Sequence, residues 1–423
     1  MNRRTRPRPR PQHAPRRTPK PWLRVLRAFG IVVAVVAAST VGVAGYVVAD
    51  LSAAVAHNAV QLEGGPTTAP DFAAYKGGFN LLVVGIDACE AKYANLFPGR
   101  CDGPDASSVN NDVTVLMHVS NTPRRITVVS FPRDMIVPVP ACTAKDGTQI
   151  SAQDAAQINT TYDEGGLSCV AKTVSALSGQ NIDFAAAVNF GTVIDITDAI
   201  GGVQVCLATP MNDPYTGLDL SAGDHTVQGL QALQFLRTRH GLVSGSDLAR
   251  IGNQQQYLGS LARKLTSGAV LSDVPEVLKI ANIALTNLEA STTLADPATI
   301  VQLALAVKDV QPSDITFIQY PNLTDPDNPN RVIPDDASAQ TLWAAVAANQ
   351  PLLITHQNTA NDGVTVEGSA PTGTGAPTPA PTGSASATTA PSPASTAPAV
   401  PLSDNVRGST AAQQTCSNGD SGG

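Results

Sequence analysis

Twenty-two consecutive residues without a charge, positions 28–49, decide where most of this chain can fold. A helix needs about 20 such residues to cross a bilayer core of about 30 Å. Ten of the 27 lysines and arginines precede the run (Arg3, Arg4, Arg6, Arg8, Arg10, Arg16, Arg17, Lys20, Arg24 and Arg27), and no acid does. The positive-inside rule therefore predicts a disordered basic cytoplasmic arm over 1–27, a transmembrane helix over 28–49, and all that follows outside the cell membrane. A cleaved signal peptide is the rival reading. The run is long for one, and no small-x-small site closes it before Asp50.

With the arm set aside, 17 basic residues face 34 acidic ones. Such a domain is no general binder of nucleic acid, so any anion it holds must be gripped by a local group of arginines. The compartment is oxidising, and six cysteines suggest disulfides. Cys89 and Cys101 bracket a short loop and are expected to pair. Two of Cys142, Cys169 and Cys206 pair, with Cys142–Cys169 the first choice, and Cys416 falls in the tail. No C-x-x-C or nearby histidine pair supports zinc.

Residues 50–76 read as a stalk. Residues 357–423 read as a disordered tail, because 368–400 contain only Ala, Pro, Thr, Ser, Gly and Val. Between them, 77–356 form the extracytoplasmic domain. Strands are predicted at 79–86, 113–119, 126–131, 203–207 and 315–319. Helices are predicted at 167–177, 192–200, 228–236 and 247–265. This order implies an α/β fold, a mixed central sheet between helical layers.

Charge gathers at strand and helix ends. Pro132 stops a strand and delivers Arg133 and Asp134 beyond its carboxyl end, where open α/β sheets place ligands; a surface Arg–Asp pair capping a turn is the alternative. Arg237 and Arg239 follow an apolar helical stretch. On extended chain, residues two apart face the same way, so both guanidiniums would fork toward one anion; basic residues at a helix C-terminus are the alternative. Ser246 suits an N-cap, and Asp247, Arg250 and Gln254 then share one helical face; an ordinary i, i+3 ion pair is the bland reading. Asp87 ends the first strand and Asp112 begins the second. Two carboxylates at strand ends can hold Mg²⁺ against phosphate, or simply cap turns.

The segments NLLVVGID, NNDVTVLM, VVSFPRDMIVPVP, INTTYDEGG, VIDITDAIGGVQV, GLQALQFLRTRH and SDLARIGNQQQYL, spread over 79–265, resemble the LytR-CpsA-Psr family, and the Cys-bearing loop after Asp87 and the phrase VCLATPMNDPYTGLDLSAG look most like its actinobacterial branch. The resemblance implies a cell-wall phosphotransferase. The donor would be a glycopolymer on a polyprenyl-pyrophosphate carrier in the membrane, and the acceptor the muramic acid C6 hydroxyl of peptidoglycan. It further implies that Arg133, Arg237, Arg239 and Arg250 grip the pyrophosphate, and that Asp87 and Asp112 bind Mg²⁺, with Mn²⁺ as substitute. Asp134, Asp247 and Gln254 would orient the arginines or the phosphate. The family commonly has arginine where this chain has Asn111 and Asn253. A non-catalytic envelope protein that binds lipid-linked wall intermediates is the alternative.

Overall fold

Alternation along Phe79–Ile86 (β1) assigns two different jobs to the two faces of the central sheet. Leu82, Val84 and Ile86 are buried on one side, whereas Val83 and Gly85 are only half-buried on the other. The structure is a computed structural model describing residues 59–64, 75–104, 106–144, 146–267, 271, 274–366 and 398–420. The expected arm and transmembrane helix lie outside the described residues. No helix among those described is long and apolar enough to cross a membrane.

The further strands of the argument are β2 (Asn111–Val119), β3 (Ile126–Phe131), β4 (Phe184–Val188), β5 (Val203–Thr209), β6 (Gly223–Val227), β7 (Glu289–Ala290), β8 (Ile315–Gln319), β9 (His356–Gln357), β10 (Val364–Val366), β11 (Arg407–Thr410) and β12 (Thr415–Asn418). The central sheet has the order β7-β4-β1-β2-β3-β8-β11-β9. Its pairs are mixed: β1 runs antiparallel to β2 and parallel to β4, and β3 antiparallel to β2 and parallel to β8. A smaller sheet follows the order β6-β5-β12-β10.

Helices α1 (Thr161–Ser178) and α7 (Asp336–Ala347) cover the fully buried face. Leu167, Val170 and Val174 of α1, with Leu342 and Trp343 of α7, join Leu82, Val84, Leu116 and Val129 in one core. Each such side chain contributes about 1.5–3 kcal/mol on burial. Helices α2 (Phe190–Ala199), α3 (Gly229–Arg237) and α4 (Asp247–Thr266) lie over the other face. The intervening α5 (Val274–Asn287) and α6 (Pro297–Val307) pack on each other. Ser246 caps α4 as the sequence suggested, its hydroxyl accepting the Ala249 N–H at 3.1 Å. The mixed sheet between helical layers is therefore present.

Three expectations are corrected. The tail expected at 357–423 returns to the domain at 398–420, where β11 pairs with β8 and β12 lies between β5 and β10. The chain between these anchors, 367–397, lies outside the described residues. Gly252 and Gly363 permit the close approach of Asp362 and Gly363, ahead of that stretch, to α4: a Cβ would meet Asp362 O at 1.9 Å from Gly252 and Ala249 O at 2.2 Å from Gly363. The stalk is also partly ordered, since Val60 bridges to Ser291 beside β7 and Leu62 is buried. Finally, Cys416 is no isolated tail residue. It pairs with Cys206, alongside the expected Cys89–Cys101 and Cys142–Cys169.

The Cys206–Cys416 link spans 210 residues. Removing a native disulfide typically costs about 2–5 kcal/mol. Cys416→Ser should therefore lower the non-reducing melting temperature by roughly 5–15 °C. A shift too small to measure in calorimetry would show that β12 is held by its hydrogen bonds alone.

Candidate active site

Between the half-buried sheet face and helices α2 to α4 lies a cavity of about 470 Å³. Val83, Val113, Ile196, Leu233, Leu258 and Leu261 are among its apolar walls. Gly85 also lines it, at a point where any Cβ would come within 2.9 Å of Val113 Cβ. The charged residues of the lining are Asp112, Arg133, Asp213, Arg237, Arg239 and Arg250, with Gln254 and His240 beside them.

Helix α3 ends at Arg237, and Thr238 takes extended angles (φ −58°, ψ 138°). Arg237 and Arg239 accordingly both face the cavity, while Thr238 is fully buried on the opposite side. Burial on that side has a polar anchor that the sequence reading missed. Asp213 accepts the Thr238 hydroxyl at 2.7 Å and the Arg239 N–H at 3.0 Å on one carboxylate oxygen, with the Gly241 N–H at 3.4 Å. Its other oxygen takes the Tyr215 N–H at 3.0 Å. Burial opposes the Asp213 charge, but these hydrogen bonds outweigh it and hold the carboxyl below the usual range. The only hint in sequence was an acid in the phrase MNDPY.

Arg237 has no ion pair among the described residues. Its guanidinium carbon stands 4.3 Å from the Phe190 ring centre and 5.4 Å from that of Phe97. Burial lowers its pKa despite the nearby carboxylates of Asp112 and Asp87. Arg239 is fixed by donating from Nε to Gly245 O at 2.8 Å.

Arg133 reaches Asp112 at 2.7 Å and Asp247 at 3.4 Å. Burial works against its charge, yet Asp112, Asp247 and Asp134 together raise its pKa. Arg250 is nearly enclosed, 2.6 Å from Asp247 and donating to Asp112 O at 3.0 Å, and burial lowers its pKa. Burial also pushes the Asp247 carboxyl up, against the pull of Arg250 and Arg133. Arg133 donates a hydrogen bond to Asp112, whereas the contacts of Arg133 and Arg250 with Asp247 are close but poorly directed. Arg133 Nε, Arg250 Nε and both Asp247 oxygens lack a well-directed hydrogen bond. Buried donors left in this condition favour a ligand that completes them.

Other candidates serve elsewhere. Asp134 pairs with Arg331 at 3.1 Å and accepts from Gln157 at 3.0 Å, and it is absent from the cavity wall. It orients Arg133 only across 3.9 Å. Gln254 lines the cavity, but its amide donates to Leu236 O, fixing the end of α3. Asn111 and Asn253 are fully buried and satisfied. Asn111 joins Thr114, Ile158 O and Tyr162 N–H; Asn253 joins Phe235 O and Ser417. Neither presents an empty place at the mouth.

Asp87 and Asp112 stand at the ends of neighbouring strands, and both act on Arg237. Among the described residues no cluster of three metal-binding side chains occurs. An all-oxygen pair still suits Mg²⁺, which commonly takes one or two carboxylates and leaves other positions to water and phosphate. The fit requires one exchange, because Arg100 contacts Asp87 at 3.0 Å.

Residues 45–347 match the model of the LytR_cpsA_psr family. The chain belongs to that family. Among LytR_cpsA_psr relatives, it is 26% identical to the cell wall biosynthesis protein LcpA of Corynebacterium glutamicum over 277 residues, 61% of this chain and 52% of LcpA. The chain thus spans about half of LcpA's length. It is 25% identical over 310 residues, 71% of this chain and 87% of the other, to the polyisoprenyl-teichoic acid–peptidoglycan teichoic acid transferase TagT of Bacillus subtilis. The solved structure of B. subtilis TagV is 20% identical and aligns with a TM-score of 0.48, covering 65% of this chain and 97% of TagV.

Proposed function

We propose that this protein is a phosphotransferase that moves a glycopolymer from a polyprenyl-pyrophosphate carrier to the muramic acid C6 hydroxyl of peptidoglycan, outside the cell membrane. The observation that carries this reading is the combination in one cavity of apolar walls with four arginines, Arg133, Arg237, Arg239 and Arg250, against two lining carboxylates, Asp112 and Asp213. The walls suit a polyprenyl chain. Forked guanidiniums suit the pyrophosphate, and phosphoryl transfer needs such positioning and charge neutralisation more than covalent help.

In this scheme the acceptor oxygen attacks the sugar-side phosphorus, and the bond from that phosphorus to the bridging oxygen breaks. Polyprenyl phosphate leaves, and the glycan keeps a phosphodiester. Arg133, Arg237, Arg239 and Arg250 stabilise the charge that builds on the phosphate oxygens. Asp247 stands behind the cavity wall, 2.6 Å from Arg250 and 3.4 Å from Arg133, and holds both in place, while the hydroxyl proton ends on the departing polyprenyl phosphate. Asp87 and Asp112 would hold Mg²⁺, which supplies further neutralisation of phosphate charge when bound.

The test supplies the full-length protein with a polyprenyl-pyrophosphate glycan, peptidoglycan and Mg²⁺, and follows polyprenyl phosphate. Release should require peptidoglycan and fall at least about 1,000-fold in the Arg237→Ala, Arg239→Ala double variant. Equal turnover by that variant would sink the proposal. Tight donor binding without any transfer would favour a carrier-binding envelope protein instead.

A further inference from the structure

The Asp87 carboxylate is already engaged on both oxygens. Arg100 Nε meets Oδ2 at 3.0 Å, and the Asn110 N–H meets Oδ1 at 2.7 Å. Arg100 and Asp87 keep only 19% and 14% of their side-chain surface exposed, so water screens their attraction weakly. A second N–H of Arg100 donates to Ser108 O, fixing the guanidinium at both ends of its fork.

Arg100 is delivered by a loop built to hold still. It lies on a single helical turn, Pro98–Cys101, closed by the Cys89–Cys101 disulfide. Phe97, just before that turn, packs on Phe190 of α2 with ring centres 5.0 Å apart. Lys92 and Tyr93 both bond to Asp195, also on α2. The loop therefore carries two parts of the mouth together: the Phe97 ring against Arg237, and the Arg100 cation on Asp87.

Resting on the reading of Asp87 and Asp112 as metal carboxylates, we infer that Arg100 is a built-in counter-cation of Asp87 that competes with the divalent metal for this carboxylate. While Arg100 holds Asp87, the mouth stays neutralised at that point without metal. A metal ion gains Asp87 only by displacing the guanidinium. The anchored loop thereby sets the metal affinity, and Arg100 acts as a positioning residue that need not touch the reacting atoms.

Manganese(II) alone, titrated into the full-length protein and followed by electron paramagnetic resonance, tests this without donor or turnover. Arg100→Gln should bind Mn²⁺ roughly five- to tenfold more tightly than the unaltered protein. Arg100→Lys keeps the charge but not the fork, so its Mn²⁺ affinity should fall between that of Arg100→Gln and that of the unaltered protein. Asp87→Asn should lose the tight site in either background. Melting temperatures of all variants verify folding. Affinity unchanged or weakened in a folded Arg100→Gln variant overturns the competition. A tight site that survives Asp87→Asn overturns it too, by placing the metal elsewhere. Absence of Mn²⁺ binding in every variant would instead remove the metal reading on which the inference stands.

Discussion

Arg237→Lys is expected to transfer glycopolymer about 100- to 1,000-fold more slowly than the unaltered protein, and within about fivefold of Arg237→Ala. Charge conservation should not rescue this position. The guanidinium carbon stands over the Phe190 and Phe97 rings, at 4.3 and 5.4 Å from their centres, and the side chain has no ion pair among the described residues. A lysine ammonium is a compact, strongly hydrated point charge that cannot present a planar fork to two phosphate oxygens. Burial already lowers the Arg237 pKa; the same site would act harder on lysine, whose pKa begins about two units lower. Stability should move little or even rise in Arg237→Ala, which removes a half-buried cation that has no ion pair among the described residues. Rates of polyprenyl phosphate release, measured beside melting temperatures, check both parts. Recovery of half the activity by lysine would show that Arg237 acts through charge alone.

Sequence patterning located most of this site because its arginines sit at element ends. Pro132 had to stop β3, and the apolar run of α3 had to end near Leu236. Arg133, Arg237 and Arg239 were legible from those two breaks. The facing of Asp247, Arg250 and Gln254 followed from helical spacing once Ser246 was seen as a cap. Contacts between distant segments were not legible. Residues 184–188, Phe-Ala-Ala-Ala-Val, have little β character, yet they form β4 because β1 and β7 flank them. Residues 398–420 are too sparsely apolar to show a strand pattern; they fold against partners nearly a hundred residues or more upstream, such as Ile315–Gln319 and Val203–Thr209. Arg100, Asp213 and Arg331 escaped notice for the same reason. Each matters through a partner that periodicity cannot name.

Asp213 should produce the other large effect while standing behind the arginines. Its carboxylate organises the chain from Thr238 to Gly241, so the direction of Arg239 depends on it. Asp213→Ala would leave a buried hydroxyl and buried N–H groups without an acceptor, a loss of about 3–4 kcal/mol. Transfer should fall about 100-fold, as expected when positioning shifts by an ångström or so. Asp213→Asn can keep one oxygen toward Thr238 and Arg239, but it turns its amide toward the Tyr215 N–H. It should therefore cost only about 1–2 kcal/mol and retain more activity. The pH dependence has a definite sign. Because the folded pKa is depressed, the Asp213 contribution is present above the unfolded value of about 3.9 and disappears as pH falls through the folded value. The stability gap between the unaltered protein and Asp213→Ala should consequently be full at pH 7 and narrow below pH of about 4. Denaturant unfolding across that range would measure it. A gap that stayed constant into acid would mean that Asp213 fills space there rather than accepting hydrogen bonds as an anion.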